Sequence, residues 1–189
     1  IRLEALNRLS TLDPFNPGEM VEKKPFLEAV VMTCDAIIKF AHRYADLARE
    51  TAAETSDETR KNELLEIAEI CDWVPENPAR TFREAVQSQW FIQTISRFEQ
   101  RMGGTVSNGR MDQYFYSYYK ADIEAGRITD DDVLLLLETL WMGMAKCVET
   151  YQSPGKMSFT EGYAHWEAVT IGGQTPDGRD ATNELSYLM

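Results

Sequence analysis

Apolar side chains recur every three or four residues through much of this chain, which is the spacing of helices packed on one face. After Pro25 the stripe continues over several turns, through Leu27, Val30, Val31, Cys34, Ile37, Ile38 and Ala41. It predicts a helix from Pro25 to about Thr51. The turn Thr55-Ser56-Asp57 is typical of a helix start and predicts a second amphipathic helix over about 57–72.

Loop signals dominate the start of the chain. Asp13-Pro14 and Asn16-Pro17-Gly18 are turn-forming combinations. We therefore predict that residues 1–24 form an extended lead-in to the first helix.

Two further helices have apolar positions that are not confined to one stripe. One is predicted over 82–95, where Thr81 and Glu84 have the spacing of a capping box. The other is predicted from Thr129, a favourable N-cap that precedes acidic residues, to about Glu149. It contains four consecutive leucines from Leu134. Both helices are predicted to be buried on several sides.

Glycine-containing stretches separate the remaining elements. Residues 103–109 are predicted to form a short strand or an extended loop, because glycine allows close backbone approach. A helix is predicted from Met111 to about Glu124. Residues 167–171 are typical of a buried strand, and a final helix is predicted to start near Asp180.

Composition and charge limit the class of partner. An apolar fraction of 43% and a charged fraction of 26% are those of a globular protein. The net charge of −12 argues against nucleic acid or an anionic membrane, since both require clustered cations. The N-terminus shows no signal-peptide pattern, and no apolar run is long enough to span a bilayer. We therefore expect a soluble, cytoplasmic protein.

Few residues carry a specific chemistry by themselves. Cys34, Cys71 and Cys147 lie far apart without a CxxC pair, and are interpreted as reduced, buried thiols. His42 is interpreted as a structural histidine within a helix. His165 precedes a predicted strand and is either structural or directed to a cavity. Two histidines are too few for a zinc site, and no phosphate-binding loop or nucleophile elbow is present.

Several blocks, in order, resemble the glycyl radical enzymes of the pyruvate formate-lyase-like family. The resemblance covers about residues 20–189 and is carried by RYADLA (43–48), ICDWVP (70–75), PARTFREAVQ (78–87), GRMDQY (109–114), DIEAG (122–126), IGGQ (171–174) and DGRDATNELSY (177–187). One departure is Ser117, where many members have a proline before two tyrosines.

The resemblance implies a ten-stranded α/β barrel wrapped in helices, usually in a homodimer. This chain is then a mainly α fragment of that barrel with one or two short strands. It begins without methionine and stops inside a predicted helix, so we expect one partial domain over 1–189, namely the N-terminal helical layer and first barrel elements. The active-site cysteine loop and the C-terminal glycyl radical domain are expected to lie outside it.

The resemblance also implies the chemistry. An activating enzyme with an iron–sulfur cluster and S-adenosylmethionine forms a glycyl radical, which generates a thiyl radical on a cysteine that attacks a small substrate. Neither radical motif matches this chain, so we expect it to bind no cofactor, to contain no catalytic residue and to be inactive alone. Cys34, Cys71 and Cys147 do not match the thiyl position.

Substrate-binding positions can be carried over from the family. The stretch before GRMDQ lines the barrel, which singles out Gly104 or Thr105, with Ser107 nearby. The residue five before Ile171 is often a pocket-lining aromatic; here it is Trp166, beside His165. Arg110 and Asp112 are interpreted as structural, paired with backbone or with each other.

Several reactions stay open within the family. The favoured interpretation is a carbon–carbon or carbon–heteroatom lyase or decarboxylase, or addition of a hydrocarbon to fumarate. The bulky wall formed by His165 and Trp166 mildly favours an aromatic substrate. The alternatives are a formate acetyltransferase, a diol dehydratase, or a chain of another class, a non-catalytic remnant or structural helical module.

Overall fold

A computed structural model of the chain describes residues 1–99, 106–146 and 168–189. The chain divides into two compact units, an N-terminal unit, Ile1–Pro78, and a C-terminal unit, Ala79–Met189. The described part is mainly α-helical with one two-stranded sheet, as the sequence predicted. Within it, no helix is both long and apolar enough to cross a bilayer.

The N-terminal unit consists of three α-helices and one π-helical turn. They are α1 (Arg2–Ser10), the π-helical turn Glu19–Lys23, α2 (Lys24–Glu54) and α3 (Glu58–Trp73). Small residues on α2 allow α3 to approach closely. The buried positions are Leu27, Ala41, Ala45, Ala48 and Ala52 on α2 and Leu64, Ala68, Ile70 and Cys71 on α3. Asp57 caps α3 as predicted, since its carboxylate accepts hydrogen bonds from the backbone N–H groups of Thr59 and Arg60.

The prediction of an extended lead-in over 1–24 was wrong. Residues 2–10 form α1, in which Ala5 is buried and Glu4 pairs with Arg8 one turn later. The turn signals lie only at residues 13–18, so they separate two helical segments and do not prevent helix formation on either side.

His42 ties α2 to the end of α3. Its Nδ1 lies 2.9 Å from Asp72 Oδ1, and its Nε2 lies 3.6 Å from Glu76 Oε2. Arg49 of α2 donates a hydrogen bond to the other oxygen of Asp72. The hydrogen bond to Asp72 raises the pKa of His42 above its usual 6.5, against an opposing effect of burial, and Glu76 raises it further. These contacts are consistent with the interpretation of His42 as a structural histidine.

Replacing His42 with glutamine should destabilise the protein more at pH 6 than at pH 8.5. Because the folded-state pKa is raised, the charged ring contributes stability fully below about 6.5, and this contribution is lost as the pH rises through the folded-state pKa. The effect should stay below about 1 kcal/mol, since the side chain is 42% exposed. The measurement is the difference in Tm between wild type and His42→Gln against pH. Lys39→Gln, an exposed change on the same helix, should show no such dependence.

The C-terminal unit packs its helices around an aromatic and aliphatic core. Its elements are α4 (Phe82–Glu99), β1 (Gly109–Arg110), α5 (Met111–Tyr114), α6 (Tyr116–Glu124), α7 (Asp130–Lys146), β2 (Val169–Thr170) and α8 (Glu184–Leu188). Phe82 is fully buried and meets Phe115 edge-on, with ring centroids 5.8 Å apart. Other buried residues of this core include Val86, Met111, Val133, Leu137, Leu140 and Leu185.

Two apolar elements of this unit were predicted to be buried. Within this chain, the helical period directs Leu137 of α7 to the core and leaves Leu135 62% exposed. This exposure is that of the chain by itself, so burial of the leucine run on several sides stays a prediction. The strand predicted over 167–171 is shorter in the structure, where β2 covers Val169–Thr170, and Thr170 and Ile171 are exposed within the chain. The structure does not describe residue 167.

Helix starts in this unit follow side-chain capping. Thr129 and Asp132 form a reciprocal pair, in which each side chain accepts a hydrogen bond from the other residue's backbone N–H. Thr81 accepts from the N–H of Glu84, but Glu84 reaches back to the N–H of Arg80 and not to that of Thr81. The last helix starts at Glu184 and not near Asp180, because Asn183 is its N-cap.

Candidate functional site

A buried carboxylate joins three segments of the C-terminal unit. Asp112 lies on α5 with 0% exposure. Its Oδ2 accepts hydrogen bonds from the backbone N–H of Gly172, at 2.6 Å, and from the hydroxyl of Ser186, at 2.5 Å. Its backbone carbonyl accepts from the side-chain amide of Asn183, at 3.1 Å. Asp112 therefore links the loop after β2 to the start of α8.

Arg110 and Gln113 extend this link by binding backbone carbonyls. Arg110 Nε donates to the carbonyl of Gly172 at 2.9 Å, and Arg110 Nη1 donates to that of Gln174 at 3.1 Å. Gln113 Nε2 donates to the carbonyl of Ala181 at 2.8 Å. The prediction that Arg110 and Asp112 are structural and paired with backbone is consistent with these bonds. Together, Asp112 and Arg110 bind both polar backbone groups of Gly172.

Backbone conformation requires both glycines after β2, and limited space also favours glycine at Gly172. Gly172 and Gly173 have φ values of +65° and +87°, which residues with a Cβ atom rarely adopt. A Cβ on Gly172 would lie 3.0 Å from Thr182 Oγ1, and one on Gly173 would lie 3.4 Å from the guanidinium carbon of Arg110. The glycines of the IGGQ block thus let the backbone of residue 172 come close enough to form hydrogen bonds with the side chains of Arg110 and Asp112. We call this set of bonds, made by Arg110, Asp112 and Gln113 to residues 172–186, the motif junction.

The parallel pair β1–β2 lies beside the motif junction and sets its register. Gly109 is opposite Val169, and Arg110 is opposite Thr170. β1 leads directly into α5, which begins at Met111, so the ladder fixes the position of the helix that carries Asp112. Asp112 Oδ1 is buried and has no hydrogen-bond partner among the described residues, so the junction uses only one carboxylate oxygen.

The residues just before β1 are held by side chains of α4 and α7. Gln93 Nε2 donates to the carbonyl of Val106 at 3.3 Å, and Gln89 Nε2 donates to Asn108 Oδ1 at 2.5 Å. Asn108 Nδ2 lies 3.5 Å from the sulfur of Met144. Neither glutamine was singled out from the sequence, although their four-residue spacing places the two amides on one face of a helix that was predicted to be buried on several sides.

Ser107 is the one predicted substrate-binding residue that the structure describes, and its side chain is exposed. Tyr114 lies nearby, where its hydroxyl donates to the carbonyl of Asn108 at 3.2 Å. Burial raises the pKa of Tyr114 to about 12, so this hydroxyl keeps its proton. The other predicted positions, Gly104, Thr105, His165 and Trp166, lie outside the described residues, as does Cys147.

The described cysteines do not form part of this arrangement. Cys71 is 3% exposed in α3, and burial raises the pKa of its thiol to about 11. Cys34 is half-buried in α2. Among residues 1–99, 106–146 and 168–189, no group of three or more His, Cys, Asp or Glu side chains could hold a metal ion.

Comparison with known proteins identifies the family. The family model described as pyruvate formate lyase-like matches residues 1–189. The chain belongs to this family. The blocks that form the motif junction, GRMDQY, IGGQ and DGRDATNELSY, are therefore parts of one family scaffold.

Individual members of the pyruvate formate lyase-like family match the whole chain. The isethionate sulfite-lyase of Nitratidesulfovibrio vulgaris is 63% identical over 100% of this chain, which spans 23% of that relative's length. A glycyl radical enzyme from Archaeoglobus fulgidus has a solved structure that is 38% identical, with a TM-score of 0.89 over 100% of this chain and 24% of that one.

A third member was solved with its substrate. The hydroxyproline dehydratase of Clostridioides difficile, with trans-4-hydroxy-L-proline bound, is 33% identical. Its TM-score is 0.89 over 99% of this chain and 24% of that one. This chain thus matches about a quarter of the length of each of these relatives. It has the same backbone fold as the matching part of the two solved structures.

Proposed function

We propose that this chain is a segment of a glycyl radical enzyme that breaks the carbon–sulfur bond of a small sulfonate such as isethionate. The observation that carries the proposal is the 63% identity with an isethionate sulfite-lyase over the whole chain. The hydroxyproline dehydratase, whose reaction removes water, reaches 33% over the same part. A segment that contributes to substrate recognition is expected to diverge with the substrate, so the higher identity favours sulfite as the leaving group.

The segment contributes scaffold and substrate contacts to that reaction. In the full-length enzyme the ten-stranded barrel closes around the substrate, and a glycyl radical, installed by an S-adenosylmethionine iron–sulfur activating enzyme, supplies the hydrogen-abstracting chemistry. The radical-bearing groups lie outside this segment in the proposal. The motif junction fixes the strand pair β1–β2, and with it the stretch that leads into β1. A cytoplasmic homodimer is part of the same proposal.

The proposed substrate contacts suit a sulfonate. Thr105, Ser107, His165 and Trp166 each carry a side-chain O–H or N–H donor, and Gly104 allows a ligand to approach the backbone. A sulfonate presents oxygens that only accept hydrogen bonds, so donors of this kind would bind it without a mismatch. The alternative is an aromatic substrate, which His165 and Trp166 mildly favour. That interpretation depends only on the size of the two side chains and not on their hydrogen-bond donors.

The test compares substrates in the full-length enzyme after anaerobic activation. The kcat/KM for isethionate should exceed those for trans-4-hydroxy-L-proline and an arylacetate by at least about 100-fold. A site built to bind a polar group discriminates by factors of about 10⁴ against analogues that lack it. Preference for trans-4-hydroxy-L-proline would identify a dehydratase, and preference for the arylacetate a decarboxylase. No turnover of any of these by an enzyme that carries the radical would contradict the proposal.

Replacing Cys71 or Cys34 with alanine should leave turnover of the full-length enzyme within about twofold. Both lie on packed helices, and the loss of a small side chain that is buried at Cys71 and half-buried at Cys34 should lower stability by at most about 1 kcal/mol. The measurement is the rate of sulfite release per glycyl radical, quantified by electron paramagnetic resonance. Loss of turnover at an unchanged radical yield in either variant would place the thiyl position inside this segment.

A further inference from the structure

A fully buried amide on α4 calls for a physical reason. Gln93 is 0% exposed. Burying an amide costs free energy unless hydrogen bonds replace the water it loses. Its Nε2 is satisfied by the carbonyl of Val106, whereas its Oε1 has no partner among the described residues. An apolar side chain would fill this place at a lower desolvation cost. What the glutamine provides and an apolar residue cannot is the hydrogen bond to the carbonyl of Val106.

Gln89 lies four residues earlier and therefore on the same face of α4. Its Nε2 donates to the side chain of Asn108 at 2.5 Å. Asn108 is held from two further sides, by the contact of its Nδ2 with Met144 of α7 and by the hydrogen bond that its carbonyl accepts from Tyr114. One helix face thus fixes residues 106 and 108 together.

The residue between these two anchors is Ser107. Its neighbours on both sides are held by α4, while its own side chain is exposed. With the carbonyl of Val106 and the side chain of Asn108 both fixed, the two peptide groups around Ser107 have little freedom to rotate. The two glutamines consequently fix the direction of the Cα–Cβ bond of Ser107, which leaves the hydroxyl only its staggered rotamers about that bond. Neither glutamine touches Ser107 through these bonds.

We propose that Gln93 and Gln89 are positioning residues that aim the Ser107 hydroxyl at the sulfonate of the substrate. This inference rests on the proposed function, since it requires Ser107 to border the substrate. The effect of a misdirected donor falls on binding and orientation, where a displacement of about 1 Å can lower the rate ~100-fold. It does not fall on formation of the glycyl radical.

The experiment is a double-mutant cycle in the full-length, activated enzyme with isethionate as substrate. The variants are Gln93→Met, Ser107→Ala and the double variant, with kcat, KM, radical yield and Tm measured for each. Methionine keeps the length of the side chain and removes the amide. Gln87→Met on the same helix is the matched control, because its amide makes none of the bonds described above. Gln89→Met provides the same cycle if Gln93→Met does not fold.

Gln93→Met should lower kcat/KM by about 10-fold, mainly through KM, at an unchanged radical yield, while Gln87→Met changes it less than about twofold. In the Ser107→Ala background, Gln93→Met should have less than about a threefold effect, because the hydroxyl it positions is already gone. Multiplicative effects of the two changes, or a lower Tm with unchanged kinetics of the folded enzyme, would overturn the positioning role alone.

The same measurements can contradict the proposed function separately from the positioning role. Absence of sulfite release by the activated wild-type enzyme contradicts the carbon–sulfur lyase proposal, whatever the variants do. Wild-type sulfite release that Ser107→Ala leaves unchanged removes Ser107 from the substrate site, and the positioning role with it.

Discussion

Replacing Asp112 with alanine is expected to destabilise the C-terminal unit by about 4 kcal/mol. The change removes the acceptor for the N–H of Gly172 and for the hydroxyl of Ser186, and both donors would then be left in a site that is 0% exposed. Each unsatisfied buried donor costs about 1–3 kcal/mol. The cavity left by the carboxylate adds to this cost, so the loss should exceed that of an ordinary surface change several times over.

The local readout for Asp112 is hydrogen–deuterium exchange of peptides from 109–114 and 171–189 in the full-length protein. An opening free energy lowered by about 4 kcal/mol corresponds to exchange roughly 1,000-fold faster at protected amides. Asp112→Asn should be far milder, because its carbonyl oxygen can keep both donors while its amide nitrogen takes the place of the unpaired Oδ1. Asp131→Ala, an exposed aspartate of α7, is the matched control. Equal effects of the alanine and asparagine variants would contradict this description of the junction.

Replacing Arg127 with alanine is expected to cost about 3 kcal/mol, although the arginine side chain is 49% exposed. Arg127 donates to Asp122 Oδ1 from Nε at 2.8 Å and from Nη2 at 2.5 Å. Asp122 is 1% exposed, and its other oxygen accepts the N–H of Phe82 at the start of α4, at 2.8 Å. Removing the arginine leaves a buried carboxylate without a cation, and breaking a buried pair in this way costs roughly 3–5 kcal/mol.

A matched surface pair separates burial from ion pairing. Arg60 is 53% exposed and lies 2.7 Å from Glu63, which is 49% exposed. Arg60→Ala should cost less than about 1 kcal/mol, since both charges return to water. The comparison is made by hydrogen–deuterium exchange in the first turn of α4 for Arg127→Ala and in α3 for Arg60→Ala. Similar protection losses in the two variants would show that Asp122 does not depend on its arginine.

Structural features that depend on residues close together in the sequence were predicted correctly for α2, α3 and α7. The apolar stripe of α2 and the caps at Asp57 and Thr129 were identified because helix period and capping act over three or four residues. The same local argument was wrong for residues 1–10, where turn signals further along were extended over a helix.

The motif junction could not be predicted in this way. Asp112 reaches Gly172 and Ser186 across 60 and 74 positions of the chain, and no local pattern encodes such a pairing. The resemblance placed these blocks in the right order without showing that they bind one another. Gln93 was missed for a related reason, because a buried polar residue is informative only once its partner is known.

Sulfite release from isethionate by the full-length enzyme is the most direct measurement of the central claim. The protein is activated without oxygen, its glycyl radical is quantified by electron paramagnetic resonance, and sulfite is measured over time. The account predicts sulfite release in proportion to the radical, with both abolished together by exposure to oxygen. A full radical signal without sulfite, or sulfite release that survives the loss of the radical, would contradict it.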